Sequence, residues 1–152
     1  MVNVGGDDRP FSGRFEDGEH RFAIRVYFED TDLTGIVYHA NYLRFMERAR
    51  SDMLTCAGID QRGAHDAGEG TYAVADLSIK YAAPAKLDDA LLVISTVTEI
   101  RAASCRIHQR VMRGDQIVTD AAVLAAFLSP QGRPRRQPRA WVEAFERLLV
   151  KG

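Results

Sequence analysis

Residues 25–50 read RVYFEDTDLTGIVYHANYLRFMERAR, and the rest of the chain is read outward from them. Phe22, Ile24, Val26 and Phe28 alternate with Ala23, Arg25, Tyr27 and Glu29, a period of two that predicts a strand starting at Arg21. The polar run Asp30-Thr31-Asp32 ends that strand, and Gly35 permits a sharp turn. A helix then fits residues 41–57. Tyr42, Phe45, Met46, Ala49, Met53 and Cys56 recur at helical spacing, and Leu43, Leu54 and Ala57 widen the stripe. Asn41 is suited to cap the start, and Gly58 to close the end in the left-handed conformation. So wide a stripe predicts a helix largely wrapped by other structure. Arg44, Glu47, Arg48, Arg50 and Asp52 are expected to pair along its remaining face.

Downstream, the glycines at 63, 68 and 70 predict a mobile connection over residues 58–70. Four extended segments follow, near 71–82, 90–100, 104–113 and 116–128. Leu77, Ile79 and Tyr81 alternate with Ser78 and Lys80, and Cys105, Ile107, Gln109 and Val111 alternate with Arg106, His108, Arg110 and Met112. Gly114-Asp115 reads as a hairpin turn. After the proline- and arginine-rich stretch 129–138, Trp141, Val142, Phe145, Leu148 and Leu149 predict a short docked helix. Upstream, residues 1–20 are poor in apolar side chains and read as a flexible tail, leaving one domain over 21–152. Strand, long helix, four strands and short helix make an α+β class with an antiparallel sheet. One helix cannot cover both faces of a five-stranded sheet, so an apolar surface or edge is left for a partner subunit.

Composition excludes several functions. Lys plus Arg total 20 and Asp plus Glu 21, which leaves no broad basic field for nucleic acid. The two cysteines, Cys56 and Cys105, sit among apolar neighbours and form neither a disulfide framework nor a metal knuckle. No apolar run is long enough to span a bilayer, and the first twenty residues lack a signal-peptide core, so the expected location is the cytoplasm. Serine-hydrolase, zincin and thioredoxin-like signatures do not occur. Gly68-Glu69-Gly70-Thr71-Tyr72-Ala73 imitates a dinucleotide fingerprint but precedes a strand, so it offers phosphate no helix terminus. The four histidines, at 20, 39, 65 and 108, have no spacing that gathers metal ligands from one element. A metal-free site is expected.

The stretch 25–50 places an acidic cluster on a tight turn just before a helix start. Unpaired N–H groups and the positive dipole end at such a start can hold a polarised carbonyl oxygen. A nearby carboxylate can then attack the carbonyl or activate water.

Asp30-Thr31-Asp32, Gly35-Ile36-Val37-Tyr38-His39-Ala40-Asn41-Tyr42 and Glu47-Arg48-Ala49-Arg50 resemble the signature of the hydroxybenzoyl-CoA-thioesterase branch of hotdog proteins. Within that branch the chain is most similar to the Tol-Pal-associated acyl-CoA thioesterases of Gram-negative bacteria. Tyr81-Ala82-Ala83-Pro84-Ala85, Leu87-Asp88-Asp89 and Gly132-Arg133-Pro134-Arg135-Arg136 extend the likeness over about residues 21–138. The resemblance implies a five-stranded antiparallel sheet wrapped around the long helix, paired into homodimers or homotetramers, with the active site at the dimer interface. It implies an acyl-CoA substrate, no cofactor, Asp32 as catalytic carboxylate and the His39 N–H as carbonyl-polarising donor. Thr34 stands where many relatives have a small residue.

Each candidate has a plainer reading. Asp32 can simply cap a turn, although the full motif favours catalysis. Asp30 is expected to stabilise the turn, and Glu47, the second-choice carboxylate, to be ion-paired by its neighbouring arginines. The His39 side chain either touches the thioester or packs the loop. Gly35, Val37, Tyr38 and Asn41 are expected around the substrate, with Tyr38 and Tyr42 also packing. Arg133, Arg135 and Arg136 suit CoA phosphates by guanidinium geometry, against the alternative of solvated charge. The rival functions are an acyl-CoA-binding module without turnover, an interaction protein at the inner-membrane envelope machinery, and a dehydratase of the same fold.

Overall fold

The computed structural model describes residues 8–149. In chain order the elements are strands β1 (Arg14–Glu16) and β2 (Glu19–Arg25), helices α1 (Asn41–Cys56) and α2 (Gln61–Asp66), strands β3 (Thr71–Tyr81), β4 (Ala90–Ile100), β5 (Ser104–Arg113) and β6 (Gln116–Leu128), and helix α3 (Arg139–Leu149). The strands form one antiparallel sheet in the order β1-β2-β4-β5-β6-β3. β3 therefore lies at one edge, paired with β6 alone among the described residues.

Alternation in the sequence sets which side chains meet α1. Cys105, Ile107, Gln109 and Val111 of β5 are buried, and so are Leu91, Val93, Ser95 and Val97 of β4. From α1, Tyr42, Phe45, Met46, Ala49, Met53 and Leu54 complete the core. Full burial of each large apolar side chain stabilises by about 1.5–3 kcal/mol, so these contacts outweigh helix propensity in fixing α1. One buried polar residue ties the layers together. The Gln109 Nε2 donates to the Met46 carbonyl at 3.0 Å and to Ser95 Oγ at 2.9 Å, while its Oε1 accepts from Arg50 Nη1 at 2.8 Å. Gly58, at φ +81°, ends α1, and the Ile59 N–H returns to the Leu54 carbonyl at 2.9 Å. At the far end of the sheet α3 inserts Phe145 beside Met53 and Ile107. The side chain of Leu149, expected in that contact, lies outside the described residues. This is the hotdog fold.

Four expectations need correction. The sheet has six strands instead of five, because residues 14–20, read as tail, pair as β1 and the start of β2. Residues 1–7 of that tail lie outside the described residues. What orders residues 12–20 is a contact 32 to 40 residues away in sequence. The Asp52 carboxylate of α1 accepts from Gly13 N at 2.8 Å, Ser12 Oγ at 3.0 Å and the fully buried His20 Nε2 at 2.7 Å. Within 58–70, α2 forms because Asp60 accepts from the Gly63 N–H at 2.9 Å. The helix start is not capped by Asn41: the N-cap residue is Ala40, with no side-chain cap bond, and Asn41 faces Asp30. Lastly, Glu47 makes no ion pair among the described residues and feels Arg50 only through space, because Arg50 turns inward to Gln109. Cys56 and Cys105 are free thiols, the first half-buried and the second buried.

Candidate active site

Two hydrogen bonds shape the turn that carries Asp32: Gly35 N–H donates to the Asp32 carbonyl at 3.0 Å, and Asp32 N–H donates to the Ile36 carbonyl at 3.1 Å. Gly35 sits at φ +83°, a conformation that a Cβ would strain. The loop is anchored by Val37, which is buried and whose N–H donates to the Ala85 carbonyl at 2.8 Å, and by the isolated bridge of Ile36 to Lys86. Its other anchor is Asp30. One carboxylate oxygen of Asp30 accepts from Tyr27 N at 2.7 Å and the other from Asn41 Nδ2 at 2.6 Å, tying the turn to the first residue of α1. Asp30 is thus a structural carboxylate, as expected.

Asp32 itself points to solvent. Its Oδ1 accepts from both the N–H and the hydroxyl of Thr34, the former at 2.8 Å. These two bonds, hydroxyl first, hold the carboxyl below its ordinary range, and His39 adds to the effect through space. Asp32 Oδ2 has no hydrogen-bond partner among the described residues. The residue is therefore an ionised carboxylate at neutral pH with one oxygen engaged and one free.

At the adjoining helix start, Tyr38 N–H donates to the Asp30 carbonyl and Asn41 N–H to the Tyr38 carbonyl. The His39 N–H between them has no partner among the described residues. The His39 carbonyl accepts from Tyr81 Oη at 3.0 Å, which fixes this corner against the end of β3. Tyr38 is half exposed against the His39 ring at 4.7 Å, whereas Tyr42 is buried between Phe45 and Tyr81. The structure thus brings together Asp32, Gly35, Tyr38 and His39 on one exposed corner. Val37 and the Asn41 side chain support it from behind.

The arginines are elsewhere. Leu128 bridges Pro134, and Arg135 Nη1 donates to the carbonyls of Gly68 and Glu69, at 3.0 and 2.7 Å. That is the Thr71 end of β3; the Asp32 loop stands at the Tyr81 end. The eleven residues of β3 separate them by roughly 33 Å at about 3.3 Å per residue. Arg133 and Arg136 are exposed.

A cavity of about 130 Å³ also opens away from Asp32. Met53, Leu54, Val97, Ile107 and Phe145 form its apolar part, and Glu47, Arg50, Ser51 and Tyr72 its rim. Periodicity marked most of these residues as core, and no sequence signal showed that they leave a void. The Thr34 contact and the Tyr81 anchor also escaped sequence reading, since both depend on where a turn places its side chains.

Comparison with known proteins places these observations. The Thioesterase superfamily matches residues 34–119, just short of Asp32. The acyl-CoA thioesterase YbgC of Haemophilus influenzae is 37% identical over 133 residues, 87% of this chain and 98% of the relative. The acyl-CoA thioester hydrolase YbgC of Escherichia coli is 37% identical over 128 residues, 83% and 95% of the two chains. The crystal structure of a probable thioesterase from Bartonella henselae superposes with a TM-score of 0.76 at 32% identity, covering 79% of this chain and 99% of that one. The chain belongs to the thioesterase superfamily, as a hotdog-fold member of it.

Proposed function

We propose that the protein hydrolyses an acyl-CoA thioester to the free acid and CoA, with Asp32 as the reacting carboxylate. The observation that carries this reading is the exposed, ionised Asp32 on the same corner as the His39 N–H, with Asp32 Oδ2 and that N–H both without a partner among the described residues. The likeness to acyl-CoA thioesterases along nearly their whole length supports the substrate class.

Two routes fit this corner. As nucleophile, Oδ2 bonds to the thioester carbonyl carbon, the C–S bond breaks with its electron pair on sulfur, and water then hydrolyses the mixed anhydride. As general base, Asp32 takes a proton from water while the water oxygen bonds to the same carbon, and the proton passes on to the departing thiolate. In both, the carbonyl oxygen gains negative charge, which the His39 N–H and the dipole of α1 stabilise. Gly35 lets the thioester approach the backbone, and Tyr38 flanks it.

The site is completed by a second subunit. β3 offers an edge unpaired among the described residues, and an antiparallel pairing of β3 with its copy brings the Thr71 end of the partner to the Tyr81 end of this chain. That exchange sets the partner's linker, with Arg133, Arg135 and Arg136, beside this chain's Asp32 for contact with CoA phosphates, and supplies the partner's apolar cavity for the acyl group. The active unit is thus a homodimer, able to pair again as a tetramer, and it works in the cytoplasm. Among the described residues no helix is long and apolar enough to cross a membrane.

Release of free thiol from a panel of aliphatic and aromatic acyl-CoA esters tests the reading. Turnover of at least one ester is expected. Stoichiometric binding with no thiol release would instead assign an acyl-CoA-binding module.

A further inference from the structure

We propose that Thr34 is a positioning residue for the reaction: its hydroxyl and its N–H together lock Asp32 Oδ1, so that Oδ2 alone is presented to the thioester. The inference rests on the reading of Asp32 as the reacting carboxylate. Both bonds end on the same oxygen. A carboxylate on an exposed turn otherwise rotates about its side-chain torsions, and either oxygen can face outward. Two donors on one oxygen remove that freedom before substrate arrives, which is the entropic part of catalysis by orientation. The backbone N–H is common to any residue at this place in the turn; the hydroxyl is what threonine adds.

The turn does not need that hydroxyl for its own geometry. Its backbone is closed by Gly35 N–H to the Asp32 carbonyl and by Asp32 N–H to the Ile36 carbonyl. The titratable groups around Asp32 are His39, which favours its negative charge through space, Asp30 on the preceding turn, and Lys86 across the Ile36 bridge. All three remain when Thr34 is changed, so a difference between variants reports Thr34.

The experiment compares Thr34→Val, which keeps the branched shape and the N–H, with Thr34→Ser, which keeps the hydroxyl. Thermal unfolding of both should match the parent. Thr34→Val should lower kcat about three- to tenfold, the rate equivalent of one ordinary hydrogen bond, with KM little changed. Its acid limb in kcat/KM should move to higher pH, because a donor that favoured the ionised carboxylate is gone. Thr34→Ser should recover most of kcat and the parent's acid limb. A role confined to folding would move the melting temperature and leave the acid limb in place. Asp32→Asn, measured in parallel, separates the two claims. If it is inactive while Thr34→Val keeps the parent's kcat and pH profile, the Thr34 assignment alone is overturned. If Asp32→Asn turns over normally, the reading of Asp32 falls and the Thr34 assignment falls with it.

Discussion

Replacing Asp52 with alanine should loosen the N-terminal hairpin, and the structure sets the scale. The carboxylate accepts from Gly13 N at 2.8 Å and from His20 Nε2 at 2.7 Å, with Ser12 Oγ and Cys56 Sγ as weaker partners. His20 has no exposed surface, and its Nδ1 already lacks a partner among the described residues. The variant leaves the Nε2–H stranded as well. Two lost hydrogen bonds to a charged acceptor, at about 1.5 kcal/mol each, amount to roughly 3 kcal/mol. For a domain of this size that is a drop in Tm of roughly 6–12 °C.

The effect has a pH signature. Burial holds the His20 imidazole below its ordinary range, and Asp52 only partly offsets it, so the pair is a neutral imidazole donating to a carboxylate. Burial pushes the Asp52 carboxyl up, but the bonds from Gly13, His20, Ser12 and Cys56 outweigh it and hold the group below the usual carboxylate range. A depressed pKa means that the unfolded chain takes up protons first as pH falls. Stability from His20 is therefore complete above the ordinary imidazole pKa of about 6.5 and is lost as pH drops through the lower folded value. In Asp52→Ala the support for protonated His20 disappears, so acid sensitivity should grow. Thermal melts monitored by circular dichroism near neutral pH and in mild acid measure both effects, with hydrogen exchange over residues 12–25 as the local probe. A variant with parental Tm and unchanged exchange there would refute this account of the N-terminal segment.

Other perturbations divide the roles around the site. Glu47→Gln should keep kcat within about threefold of the parent, because Glu47 borders the cavity assigned to the acyl group, where a contact is made in ground and transition states alike; loss of activity in steady-state assays would return it to candidacy. Arg133→Ala and Arg136→Ala should each raise KM about threefold or more with kcat little changed, since a phosphate contact exists in ground and transition states alike. Added salt should weaken binding in the same direction. Unchanged KM in both variants would make these ordinary surface charges.

Legibility in the sequence followed the range of the interactions. The segments predicted near 90–100, 104–113 and 116–128 form as β4, β5 and β6 over those same residues, because alternation and the Gly114-Asp115 turn are local properties. The long helix and its Gly58 terminator were legible for the same reason. β1 was not, since nothing within residues 14–20 reveals that Asp52 will hold them. Asn41 misled in a related way. Its type suits a cap, but a carboxylate eleven residues earlier, on Asp30, competes for its side chain and wins. The expected pairing of Glu47 failed because Arg50 satisfies the buried Gln109 instead. For the site, the corner of Asp32, Gly35, Tyr38 and His39 was legible from contiguous sequence. The separation of Arg133 and Arg135 from it was not, since it depends on which edge of the sheet β3 occupies.

The central claim is that Asp32 carries the chemistry, and Asp32→Asn tests it most directly. Asparagine preserves the shape, and its amide oxygen can still accept from Thr34. Without the negative charge, though, neither attack nor proton abstraction is available. Single-turnover assays on an ester that the parent hydrolyses should show intact binding and a rate lower by at least about a hundredfold. A folded Asp32→Asn enzyme that turns over at the parental rate would contradict the account.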